Sequence, residues 1–117
     1  MKAALALLAA LALNGAAPAP AADGWNLVWS DEFTGMQIDP AKWDFTTDCF
    51  GGGNEERQCY TDSTRNAQVT GGMLVITARR ENVSGPASPA TERAAAKDPT
   101  AQVKREYSSA RLSTRGK

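Results

Sequence analysis

The sequence predicts an all-β fold, a sandwich or barrel, on three observations. Residues 23–117 hold no amphipathic helix of ordinary length. Their apolar positions alternate in short runs, and clusters of Gly, Pro, Asp and Asn separate those runs.

Residues 1–22 stand apart from this pattern. Lys2 gives a positive start, 3–13 is an unbroken apolar run, and small residues with prolines follow, with Ala-x-Ala at Ala17/Ala19 and Ala19/Ala21. This is the three-part pattern of a secretory signal peptide, too short in its apolar part to anchor in a bilayer. Cleavage is expected after Ala21 or Ala22, and the expected location is secreted or periplasmic.

The remaining elements follow in order. In 25–30, Trp25, Leu27 and Trp29 alternate with polar or smaller residues, which predicts a strand with one buried face. A polar turn at 31–35 comes next. Asp39-Pro40 suits the cap and first position of a single helical turn leading to Trp43, and 42–47 reads as a short strand. Residues 49–60 form a glycine-rich loop with a charged centre. The segments 67–69 and 73–79 flank Gly71-Gly72, a dipeptide that accepts positive φ, and predict a hairpin with Leu74, Ile76 and Ala78 on one face. Residues 83–105 break the rhythm with Pro86, Pro89 and Pro99, and read as a surface loop insertion with at most a short helix at 92–97. Alternation returns at 106–114, where Tyr107, Ser109 and Arg111 oppose Ser108, Ala110 and Leu112. About five strands are fewer than a two-sheet sandwich with a ligand groove usually needs, so the expectation is part of a larger domain that continues beyond Lys117.

Charge narrows the partners. Without 1–22, only Lys2 is lost, which leaves 12 basic and 13 acidic residues, a net of −1. No basic stripe is present to attract nucleic acid or an anionic membrane, and a neutral ligand such as a polysaccharide fits better. In an exported chain Cys49 and Cys59 are expected to pair, and closing so short a loop contributes roughly 2.5–3 kcal/mol. Zinc is a poor fit, because the chain has no histidine and no further cysteine.

Five stretches resemble the N-terminal third of glycoside hydrolase family 16, the laminarinase and β-1,3(4)-glucanase family. They are Trp25-Asn-Leu-Val-Trp-Ser-Asp-Glu-Phe33, Ile38-Asp-Pro-Ala-Lys-Trp43, Gly51-Gly-Gly-Asn-Glu-Glu-Arg-Gln-Cys-Tyr-Thr61, the run from Asn66 to Arg80, and Tyr107-Ser-Ser-Ala-Arg-Leu-Ser-Thr-Arg-Gly-Lys117. The resemblance implies a β-jelly roll of the concanavalin A-like kind, incomplete in this chain, whose concave face holds a β-glucan. It implies hydrolysis of internal β-1,3 or β-1,3/1,4 bonds with retention by two glutamates about 5–5.5 Å apart, in a Glu-x-Asp-x-x-Glu or similar pattern. None of Glu32, Glu55, Glu56, Glu81, Glu92 and Glu106 has an Asp two residues later. The pairs Asp31/Glu32 and Glu55/Glu56 read as solvated or turn-capping carboxylates, so no catalytic residue is assigned.

For binding, the resemblance implies Asn54, after three glycines that allow close backbone approach, and Arg111, whose guanidinium offers fixed donors to hydroxyls. On residue type alone, Asn54 reads equally as a turn asparagine, and Arg111 as an exposed strand arginine. Phe50, Tyr60, Trp25, Trp29 and Trp43 could stack on sugars or form core. Many relatives carry Trp at the place of Phe50. Asn82-Val-Ser84 is a formal glycosylation sequon, expected to be unmodified behind a leader of bacterial style. Some relatives bind a structural calcium, but nothing in this sequence identifies its ligands, and no cofactor is assigned. The complete protein is expected to be a monomer, and the alternative to an enzyme is a non-catalytic β-glucan-binding protein of the same fold.

Overall fold

A computed structural model describes residues 24–116. The leader expected at 1–22 lies outside the described residues, as does Lys117. Among the described residues, no helix is long and apolar enough to cross a membrane.

Seven strands are assigned: β1 (Trp43–Phe45), β2 (Gln58–Tyr60), β3 (Ala67–Thr70), β4 (Met73–Ile76), β5 (Arg79–Pro86), β6 (Gln102–Ser109) and β7 (Leu112–Thr114). Among the described residues, the one helical element is a single 3-10 turn at Arg93–Ala95. The all-β expectation therefore holds across the described residues. Strand β1 pairs antiparallel with β7, β3 pairs antiparallel with β4, and β6 sits between a parallel β2 and an antiparallel β5.

Of the described residues, 24–30 belong to one unit and 31–116 to another. In the first, no strand is assigned to 25–30, and Trp25 and Leu27 of the expected buried face are 78% and 61% exposed. The predicted strand with a buried face is thus corrected to a segment with no assigned strand and with Trp25 and Leu27 exposed. Alternation creates two faces, but burial of one needs a facing layer that the segment itself does not encode.

In the second unit, the Asp39 side chain caps the amide of Ala41 at 2.8 Å, and its carbonyl accepts from Lys42 and Trp43, each at 3.0 Å. This is the predicted single turn. The β3–β4 hairpin closes through Gly71 and Gly72 at φ 59° and 75°, the pair of left-handed conformations that a two-residue turn demands. Ala67 and Val69 of β3 are buried. Met73 and Ile76 of β4 are mostly exposed, β4 ends at Ile76, and Ala78 is exposed, so of the expected apolar face only Leu74 is partly covered.

The surface insertion expected at 83–105 is reduced by the structure to a connection at 87–101. Its outer parts are ladder: Val83 faces Arg105, Ser84 faces Lys104, Gly85 faces Val103 and Pro86 faces Gln102. Gly85 and Pro86 read as loop residues in sequence. Pro86 in fact ends a strand, where a missing N–H is tolerated. The ladder also carries a bulge, with the register shifting between Arg80 and Val83.

Among the described residues, the buried apolar ones are small: Cys49, Cys59, Ala67, Val69 and Ala110. Asn66, Cys49, Cys59 and Ser108 are the largest fully buried side chains. With no large aliphatic group among them, cohesion depends heavily on the disulfide and on buried hydrogen bonds.

Candidate functional site

The glycine-rich loop is fastened at its base. Cys49 and Cys59 form a disulfide, as expected, and both are buried. The Cys49 amide donates to the Pro86 carbonyl at 2.7 Å, and the Cys49 carbonyl accepts from Arg105 Nη2 at 3.1 Å. Tyr60 N–H donates to the Asp48 carbonyl at 2.8 Å. These bonds tie the loop ends to β5 and β6.

Within the loop, Asn54 and Glu56 N–H both donate to the Gly51 carbonyl at 3.1 Å. Gly51 sits at φ 79°, and a Cβ there would meet the Glu56 carbonyl oxygen at 2.9 Å. Gly52 sits at φ 62°, with its missing Cβ only 2.8 Å from Glu56 Oε1. The Glu56 carboxylate lies over the Gly52 backbone and accepts from Gln58 Nε2 at 2.6 Å and from Tyr60 O–H at 3.3 Å. At Gly51 the clash is with backbone, so glycine is required both sterically and by conformation, whereas at Gly52 the neighbour is the movable end of Glu56 and the left-handed φ is what favours glycine.

Beside the loop lies an open hollow of about 520 Å³. Arg111, Phe50, Gly52 and Tyr60 line it, as do Phe45 and residues of the 87–101 connection. The structure thus brings Arg111 together with the glycine loop and its flanking aromatics. Asn54 is exposed on the same loop but is not among the lining residues. Sequence reasoning passed over Asp44 and Asp48, which also line the hollow. Asp44 pairs with Arg115, and Asp48 accepts from the Phe50 amide at 3.1 Å. Aromatic faces, a guanidinium and carboxylate acceptors around one hollow suit a neutral polyhydroxyl ligand.

Of the candidate acid pairs, Asp31 and Glu56 serve structure, and Glu32 and Glu55 are exposed. Asp31 accepts from the Phe33 amide at 3.0 Å and from the Trp43 indole at 2.8 Å, with Lys42 Nζ at 3.8 Å. Burial pushes its pKa up, but these three donors outweigh burial and hold it below the ordinary 3.8. Trp43 also stacks on Phe33 with ring centroids 6.1 Å apart, so its ring is committed to packing. Glu55 is exposed at φ 61°, while Glu56 is engaged as described. Among the described residues, no group of three or more Cys, Asp or Glu could hold a metal ion, so no residue here is assigned to the calcium of some relatives.

A second buried cluster was not legible in the sequence. Asn66 Nδ2 donates to the Thr77 carbonyl at 3.0 Å and to Ser108 Oγ at 2.9 Å, while its Oδ1 accepts from Thr61 Oγ1. Ser108 O–H in turn donates to Glu81, whose other oxygen pairs with Arg65 at 2.7 Å. The Ser108 hydroxyl, with Arg65 and Arg79, outweighs the opposing effect of burial and holds Glu81 below the ordinary 4.5. The cluster joins the β3–β4 hairpin to the central sheet.

No family model matches the chain. It is 40% identical over 115 residues to a β-glucanase of Rhodothermus marinus, a match that covers 97% of this chain and 34% of that protein. Among solved structures, the laminarinase from Rhodothermus marinus superimposes with a TM-score of 0.56 at 45% identity, over 79% of this chain and 30% of that one. A non-specific endo-β-1,3(4)-glucanase from family GH16, co-crystallised with 1,3-β-D-cellotriosyl-glucose, gives 0.53 at 30% identity, over 78% and 32%. The chain spans about a third of the length of the relatives it matches.

Proposed function

The chain belongs to the laminarinase-like glycoside hydrolases of family 16, and from that premise we propose that it forms part of the β-glucan-binding groove of a secreted endo-β-1,3-glucanase. The observation that carries this reading is the hollow in which Arg111 meets the disulfide-fastened glycine loop. Arg111 is the donor to sugar hydroxyls, and Phe50 and Tyr60 supply apolar faces for the C–H surfaces of glucose. Asn54, at the exposed rim, contacts a glucan chain that extends beyond the hollow. The disulfide supports export, because an oxidising compartment favours it.

Cleavage is assigned to no residue of this chain. None of the six glutamates has an Asp two residues later, and Asp31, Glu56, Asp44 and Asp48 are each held by a structural partner, whereas a retaining pair needs one carboxylate free to attack and one free to protonate. The 117-residue chain is therefore expected to bind β-glucan and to release no sugar from it.

Calorimetric titration with laminarihexaose, with agaro-oligosaccharide as the control, tests the binding reading. Saturable binding of the glucan alone supports it, and Arg111→Ala is expected to weaken that binding roughly tenfold. Equal binding of both sugars, or none of either, rejects it. Reducing-sugar release from laminarin by this chain would place the catalytic acids within it and reject the assignment above.

A further inference from the structure

The connection at 87–101 follows the pattern of a passive surface loop, yet the structure uses it as a side of the hollow. Pro89, Ala90 and Thr91 line the same space as Arg111, Phe50 and Tyr60. The segment is fixed at its base, where the Ala87 amide donates to the Ala101 carbonyl at 2.9 Å. Farther out, Thr100 donates to Asp98 Oδ1 from its amide at 2.9 Å and from its hydroxyl at 2.7 Å. On the groove side, the Arg93 guanidinium donates from Nη2 to the carbonyls of Ser88 and Thr47, each at 3.3 Å. Thr47 follows β1, so one side chain clasps the connection to the edge of the hollow.

We propose that the 87–101 connection is a wall of the glucan groove. In this arrangement Pro89, Ala90 and Thr91 touch the sugar chain, and Arg93 is the positioning residue that holds them there. The inference rests on the β-glucan reading above and adds a contact surface that the sequence pattern hides. Its chemistry fits a neutral sugar: a proline ring and an alanine methyl face C–H groups, and the threonine hydroxyl both donates and accepts. Small side chains at these positions keep the hollow open. Because the clasp is made to backbone carbonyls, it survives changes in the residues at 47 and 88.

Calorimetry with laminarihexaose on the full disulfide-bonded chain tests this. Ala90→Trp fills the hollow and is expected to weaken binding at least about tenfold, whereas Lys97→Trp, on the same connection but outside the lining, stays within about twofold. Arg93→Ala is expected to weaken binding about fivefold with an unchanged far-ultraviolet spectrum, and Arg93→Lys, which keeps one donor toward Thr47, recovers part of the loss. Should Ala90→Trp lose the folded spectrum, Thr91→Gln at the adjacent lining position gives the same comparison. Equal affinities for Ala90→Trp (or Thr91→Gln), Lys97→Trp and the parent chain overturn the wall while leaving the glucan reading intact. If the parent chain binds no glucan, the glucan reading fails and the wall fails with it.

Discussion

Gly85 lies so close to Cys49 that a Cβ on its backbone would sit 2.8 Å from the disulfide sulfur. This contact packs β5 directly against the loop base, beside the bond from the Cys49 amide to the Pro86 carbonyl. Gly85→Ala must displace either the strand or the bridge, neither of which is a flexible chain end. The variant is expected to lose about 1–3 kcal/mol, read from urea denaturation. A midpoint equal to that of the parent would show that the strand moves freely away from the sulfur.

Reduction of Cys49–Cys59 is the companion case. The loop holds several left-handed residues, Glu55 among them, and the bridge limits the unfolded alternatives to that conformation. Replacing both cysteines with serine is expected to cost about 2.5–3 kcal/mol, again by urea denaturation. A loss below about 1 kcal/mol would mean that Arg105 and the Pro86 carbonyl alone hold the loop base.

Asn66 is 2% exposed and makes three side-chain hydrogen bonds. Truncation in Asn66→Ala strands the Thr77 carbonyl and disturbs the Ser108–Glu81 contact. The expected cost is roughly 2–4 kcal/mol. Hydrogen exchange should show faster exchange at the amides of β3 and β4 than in the parent, because the cluster ties that hairpin to the sheet. Unchanged protection there would argue against the tie.

Asp31, Glu81 and Asp98 all have folded pKa values below their ordinary ones. For Asp98, the Thr100 hydroxyl is the main cause, followed by its amide. A lowered folded value means that the unfolded chain takes up these protons first as pH falls. The stabilisation is therefore fully present above the unfolded values near 4, and it is lost as pH drops through the folded values. The melting temperature should be flat from pH 7 to 5 and fall below about pH 4. Glu81→Gln should flatten part of that acid limb. A melting temperature that rises on acidification would contradict the assignment.

What the sequence made legible was local. The Gly71-Gly72 turn, the Asp39 cap and the Cys49–Cys59 pair each concern residues close in the chain, whose geometry their own chemistry dictates. The collection of Arg111, Phe50 and Tyr60 at one hollow was legible only through the family resemblance. What escaped was long-range. Asn66 reads as one more turn residue until Ser108, 42 positions away, is placed beside it. Gly85 reads as a breaker because its reason for lacking a side chain is a sulfur from another segment. The ladder from Val83 to Pro86 was hidden by that same glycine and proline, and with it the role of the connection at 87–101.

The bulge in β5 has its own implication for chain length. Glu81 and Asn82 together occupy the place opposite Glu106, so one of the two is surplus to the pairing. Excising Asn82 would leave Val83 through Pro86 on their present partners and Gly85 still against the sulfur. Excising Gly85 itself would instead carry Ser84 into the space that only a hydrogen now fills. A one-residue deletion in this strand should therefore be accepted on the Glu81 side of Gly85 and rejected at Gly85 itself.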